Sequence, residues 1–171
     1  MSNLQLTPSD ADLSGPTTVD TTAPKGLIFQ YADEAKPLAT PWQVAVERAK
    51  MVRKCKLPHG PILDPACGSG IQLAAYCSML SRTGLGIEMD EATARAANSN
   101  LRRVADHGFG TSLLESRIQV GDGTIGDEDK KIAMLHLDPA RPRNSRTHIL
   151  DEMAPRFTDI LAAWKESLIE S

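Results

Sequence analysis

The sequence predicts an α/β fold, a sheet of parallel strands with helices on both faces, and three observations carry that reading. Short apolar runs alternate with amphipathic stretches along the chain, the order in which parallel strands and crossover helices succeed one another. One junction, Asp64-Pro65-Ala66-Cys67-Gly68-Ser69-Gly70, joins a strand to a helix through a glycine turn. Each expected strand ends in an acidic or small residue, at the edge of the sheet where an open α/β fold takes its ligands.

Taken in chain order, residues 1–25 are rich in Ser, Thr, Asp and Pro without periodicity and predict a disordered N-terminal arm. The folded domain is expected to span residues 26–171, with order starting near Gly26-Leu27-Ile28-Phe29. Thr40 predicts an N-cap with Pro41 at the first helical position. Trp42, Val44, Ala45, Ala49 and Val52 then recur at helical spacing, until Pro58-His59-Gly60 ends the helix. Its outer face carries Arg48, Lys50, Arg53, Lys54 and Lys56 against Glu47. That face reads as ordinary solvated surface, or as one that guides RNA phosphate or substrate.

The first core strand is expected at residues 61–63, followed by a helix over residues 69–80. Gly84-Leu85-Gly86-Ile87-Glu88 reads as the second strand, and residues 91–104 as an alanine-rich helix with a polar Asn98-Ser99-Asn100 stretch. Arg117-Ile118-Gln119-Val120 is the third strand and residues 132–137 the fourth. The fourth is nearly all apolar, as suits a strand covered on both faces. A last helix places Phe157, Ile160, Leu161, Trp164 and Leu168 on one side.

Composition narrows the classes. A length of 171 residues fits one domain. Hydrophobic residues make up 41% but aromatics only 4%, so the core must be built from Leu, Ile, Val, Ala and Met. A net charge of −3 gives no global attraction to nucleic acid, so any such contact must come from local patches. Cys55, Cys67 and Cys77 form no Cys-x-x-Cys, which argues against a zinc site or a disulfide scaffold; no metal is expected. Reduced thiols, no signal sequence and no apolar run near the ~20 residues of a membrane span predict a cytoplasmic protein without a membrane partner.

The strand tips converge on one constellation: Asp64 on the first, Glu88 with Met89 and Asp90 on the second, Gly121-Asp122-Gly123 on the third and Asp138-Pro139-Ala140-Arg141 on the fourth. Glycines in the first turn let the backbone approach a ligand closely, and the helix that follows aims its unpaired N–H groups there. Glu88 stands roughly 20 residues beyond the turn, the separation of a ribose-binding carboxylate. Asp90 is better explained as the N-cap of the next helix. Asp122 reads as an acceptor for an adenine amine, or as an Asx turn between two glycines.

In this order, Asp64-Pro65-Ala66-Cys67-Gly68-Ser69-Gly70, Gly86-Ile87-Glu88-Met89-Asp90, Gly121-Asp122-Gly123 and Leu137-Asp138-Pro139-Ala140-Arg141 resemble the motifs of class I S-adenosylmethionine-dependent methyltransferases, whose sheet is Rossmann-like. The first motif is similar to that of the adenine- and RNA-modifying branch. Ala39-Thr40-Pro41 with its helix, and the Asp-Pro-Ala-Arg motif followed by Arg143 and Arg146, resemble the methyltransferase part of proteins with a THUMP-like domain. More distantly they resemble the trimethylguanosine synthase group. The resemblance covers about residues 29–164.

The resemblance implies S-adenosylmethionine as cofactor. Asp64, Ala66, Gly68 and Gly70 would hold its methionine part, Glu88 its ribose, and Met89 and Asp122 its adenine. Asp138 and Pro139 would line the acceptor pocket as the catalytic pair. Relatives that methylate base amines follow this Asp-Pro with a second proline and an aromatic residue; here Ala140 and Arg141 stand there. Arg141, Arg143 and Arg146 suit bidentate phosphate binding in the substrate, or form a solvated loop or lid pairing with Asp151 and Glu152. His136, inside an apolar strand, reads as a core histidine; His148 could take a proton. Cys67 lies in the donor loop and is not assigned as a nucleophile.

The function implied is methyl transfer to an RNA nucleotide of transfer or ribosomal RNA. Alternatives are a methyltransferase acting on protein or a small molecule, and a non-catalytic donor-binding module supporting a partner subunit. A nicotinamide-binding domain needs a third glycine after Gly68-Ser69-Gly70, where Ile71-Gln72-Leu73 stands instead. A fifth strand is due at Ser171, so the sheet is expected to be completed by C-terminal strands beyond it or by a partner chain, without which an edge stays open.

Overall fold

A computed structural model describes residues 4–32, 39–139 and 152–170. Among the described residues, four α-helices accompany a mixed five-stranded sheet and a separate two-stranded one. The large sheet has the order β1-β6-β5-β4-β7, with β1 Gln5–Leu6, β4 Ile62–Asp64, β5 Gly84–Glu88, β6 Arg117–Val120 and β7 Met134–Leu135. β4, β5, β6 and β7 run parallel and β1 is antiparallel to β6. The small sheet pairs β2 Thr17–Val19 with β3 Ile28–Gln30.

Alternation along β4 divides the core. Ile62 packs with α1 Trp42–Val52, α2 Ile71–Leu80 and α3 Glu91–Asp106, whereas Leu63 joins Leu85, Ile87 and α4 Phe157–Trp164. α2 is almost entirely apolar and buried, because α1 and α3 flank it. α3 starts at Asp90, whose carboxylate accepts from Thr93 N at 2.8 Å, the expected cap.

Three expectations need correction. Residues 4–25, predicted as a disordered arm, are folded onto the domain. β1 closes the β6 edge, and α3 holds the segment through polar side chains. Asn98 Nδ2 donates to Thr7 O at 2.9 Å and Ser99 Oγ to Asp12 O at 2.7 Å. Composition misled because these contacts use polar groups rather than apolar burial. Second, Thr40 does not cap α1. Pro41 occupies the cap position without a side-chain bond, and the cap is lent by the N-terminal segment. Asp20 Oδ2 accepts from Trp42 N at 2.7 Å and Thr22 Oγ1 from Gln43 N at 3.2 Å. Third, the fourth core strand is shorter than its apolar run: only Met134–Leu135 form the strand.

Beyond β7 the sheet gains a further parallel contact. Ala133 N bonds Pro61 O on the β4 side, so the polar groups of Ile132 face the other way. There Ile132 bridges Leu168, with Ile132 N donating to Ser167 O and Ile169 N to Ile132 O, both at 2.9 Å. Leu168, expected on the last helix, thus lies past the end of α4 at Trp164 and in this bridge instead.

Candidate functional site

β5 and β6 lie to one side of β4 and β7 to the other, so chain order reverses between β4 and β7. At such a reversal the connections leave in opposite directions and a crevice opens at the carboxyl ends of the strands. A cavity of about 820 Å³ lies there. Its walls include Asp64, Ala66, Gly68, Glu88, Met89, Asp122, Asp138 and Pro139. Of the expected donor-site residues, Gly70 alone is not on the wall; it stands behind it, against Ala97 and Leu101. Arg141, Arg143, Arg146 and His148 lie outside the described residues, as does Ala140.

The glycine turn is shaped from within. Gly68 and Gly70 both take the left-handed conformation, at φ 49° and 70°, where a Cβ is disfavoured. Gly70 N donates to Cys67 O at 2.8 Å and Cys67 N to Ile87 O at 3.1 Å, tying the turn to β5. Asn100, fully buried in α3, fixes it from behind: its Nδ2 donates to Ser69 O at 2.9 Å and to Gln30 O at 2.8 Å. Gly123 approaches from β6 so closely that a Cβ there would lie 1.9 Å from Pro65 O.

Glu88 joins two backbone segments. Its Oε2 accepts from Gly68 N at 3.1 Å and its Oε1 from Asp90 N at 2.9 Å. Each oxygen keeps a second lone pair for a ligand hydroxyl. Asp122 Oδ1 accepts from Thr124 N and Oγ1, at 2.8 and 2.7 Å, the Asx turn weighed from sequence. Those bonds hold its pKa below the usual carboxylate value. Met89 is 67% exposed at the rim, an apolar surface left for a flat group.

Asp64 is only 3% exposed. Burial pushes its carboxyl up to about 7; the Ala66 N–H opposes this, and the charges of Asp138 and Glu88 add to it. Burial also raises the Cys67 thiol far above its usual range, which removes it as a nucleophile near neutral pH.

Three residues were missed or misread from sequence. Arg48 does not belong to a purely solvated face: its Nη1 pairs with Asp138 Oδ2 at 2.7 Å and donates to Gln72 Oε1 at 3.3 Å. Gln72 is buried in the first turn of α2 and lines the cavity, and its Nε2 donates to Ala45 O at 3.2 Å. A lone amide at the start of an apolar helix was the available signal. His136 also lines the cavity, with Nδ1 3.3 Å from the Tyr76 hydroxyl.

The wall therefore carries four carboxylates, from Asp64, Glu88, Asp122 and Asp138, and no Lys or Arg among its described residues. Such a lining repels pyrophosphate and favours a cationic ligand. Among the described residues no His, Cys, Asp or Glu group could hold a metal ion, and no helix is long and apolar enough to cross a membrane. No protein-family model matches the chain, and no curated protein matches its sequence.

Proposed function

We propose that this chain binds S-adenosylmethionine in the cavity at the carboxyl ends of β4, β5 and β6 and transfers its methyl group to an acceptor held beside Asp138 and Pro139. The observation that carries the reading is the acidic cavity floored by a glycine turn. S-adenosylmethionine brings a sulfonium and an ammonium, both suited to carboxylate walls, where a dinucleotide would bring phosphates. Asp64 and the turn would take the methionine part, Glu88 the ribose hydroxyls, and Met89 with Asp122 the adenine.

Methyl transfer from a sulfonium asks little covalent help of the protein; it needs alignment and exclusion of water. Asp138 would orient an acceptor N–H, and Arg48 holds that carboxylate until the acceptor competes for it. An RNA nucleotide is the proposed acceptor. Arg53, Lys54 and Lys56 at the end of α1 and just past it are exposed and available to phosphate.

Calorimetry with S-adenosylmethionine, S-adenosylhomocysteine and NAD tests the donor. The first two should bind and raise the melting temperature, and NAD should not; failure of S-adenosylhomocysteine to do either overturns the reading. Transfer of labelled methyl to cellular RNA and protein fractions tests the acceptor. Asp138→Ala should abolish transfer and spare donor binding. Donor binding without transfer to any fraction would favour a donor-binding module over an enzyme.

A further inference from the structure

We propose that Asn100 is a positioning residue for the donor site and that, through it, docking of the N-terminal segment and binding of the donor reinforce each other. The inference rests on the methyltransferase reading above. Asn100 is fully buried in α3, and its amide is used entirely on backbone groups. Its Oδ1 accepts from Gln30 N at 2.7 Å and its Nδ2 donates to Gln30 O at 2.8 Å, so the amide pairs with β3 as a neighbouring strand would. The same Nδ2 donates to Ser69 O at 2.9 Å, inside the glycine turn. One side chain thus ties β3 to the floor of the cavity.

The turn needs an outside hold. Ser69 stands between two left-handed glycines, at φ 49° and 70°. With no Cβ on either side, little resists rotation of the peptide groups that flank it. Gly70 N closes the turn on Cys67 O at 2.8 Å, and Asn100 engages the Ser69 carbonyl. Ser69 lines the cavity, so the orientation of its backbone is part of the surface that the donor meets. Asn100 therefore acts on the donor through Ser69 and touches no ligand itself.

Docking of the segment is less secure than its contacts suggest. Three side chains between it and α3 hold buried polar atoms without a hydrogen-bond partner among the described residues: Gln30 Oε1, Asn98 Oδ1 and Arg103 Nε. Gln30 lies against Gly15 within the segment. Asn98 reaches Thr7 O, and Arg103 Nη2 donates to Leu13 O at 2.7 Å. Each orphaned atom offsets part of what the neighbouring bonds contribute. Such an interface opens locally well before the whole domain unfolds. When β3 leaves, the Asn100 amide loses two of its three partners and is free to turn off Ser69. A ligand that needs the turn in its closed shape must then favour the docked segment, and the docked segment must favour the ligand to the same extent.

Residue-resolved amide exchange on the full chain tests this coupling. S-adenosylhomocysteine at about 100 times its Kd should slow exchange of the Gln30 amide by up to about a hundredfold. The Leu114 amide, bonded to Thr111 O at 2.9 Å in the loop before β6, reports openings unconnected with the turn and should keep its rate. Asn100→Ala should weaken S-adenosylhomocysteine about tenfold, within the range of coupling between sites, and should remove the response of Gln30 to ligand. A purely structural Asn100 would lower the melting temperature without separating the two. Three results overturn the inference alone: ligand binding that leaves Gln30 exchange unchanged, equal slowing at Leu114, or a folded Asn100→Ala protein with wild-type affinity. If the variant does not fold, the wild-type exchange decides. Absence of S-adenosylhomocysteine binding to wild-type protein overturns the methyltransferase reading, and the inference with it.

Discussion

Asp64 couples the proposed ligand chemistry to stability. Its folded-state carboxyl titrates at about 7 against an ordinary 3.8, so between those values the folded protein holds a proton that the unfolded chain has released. Stability from this group is complete below about pH 4 and is lost as pH rises through about 7. Asp64→Asn keeps a neutral, isosteric side chain and abolishes that slope. Thermal unfolding should therefore show the variant gaining on wild type between pH 4 and 7, at up to ~1.4 kcal/mol per unit of displacement; parallel pH profiles would refute the buried, proton-holding Asp64. A cationic ligand has the opposite pH dependence, because it favours the carboxylate. Wild-type affinity for S-adenosylmethionine should rise from pH 5.5 to 7.5, and the same substitution should flatten the rise and lower affinity at the upper end.

At the scale of elements, α1 depends on a remote cap. Burial resists the Asp20 charge, but hydrogen bonds from Thr22 and Trp42 outweigh it and hold the pKa below its ordinary value. Asp20→Ala leaves Trp42 N without its acceptor and should cost about 1 kcal/mol, within the range for lost N-caps. Amide exchange should show Trp42 and Gln43 opening faster; unchanged protection there would mean that the cap is dispensable. This cap also marks the limit of what the sequence discloses. β5 and β6 were legible to the residue, and Asp90 as the cap of α3, because short apolar runs and local capping are written within a few neighbouring positions. The glycine turn and the carboxylates of the strand tips were legible for the same reason. The α1 cap was not, since donor and acceptor lie 22 positions apart. Nor was the role of Arg48, whose partner Asp138 is 90 positions away, or the contact of His136 Nδ1, whose partner Tyr76 lies 60 positions back.

For the whole molecule, the N-terminal segment does three jobs at once. β1 pairs with β6 through Gln5 and Leu6 and covers an edge that would otherwise offer unpaired backbone groups to another chain. The Thr7 and Asp12 carbonyls accept from Asn98 Nδ2 and Ser99 Oγ, buried polar groups in the middle of α3. Asp20 and Thr22 begin α1, which carries Arg48 to the site. Removing residues 1–25 therefore uncovers an edge, removes the hydrogen bonds of Asn98 to Thr7 O and Ser99 to Asp12 O at about 1 kcal/mol each and uncaps a helix at about 1 kcal/mol. Against a total stability of about 5–15 kcal/mol, these losses should lower the melting temperature by on the order of 10 °C. Light scattering should report association through the exposed β6 edge. A synthetic peptide of residues 4–25, added in excess, should restore part of the melting temperature by mass action. Two results would sink this account: a truncated chain that melts within about 2 °C of the intact one, or a peptide without effect on a truncated chain that remains folded.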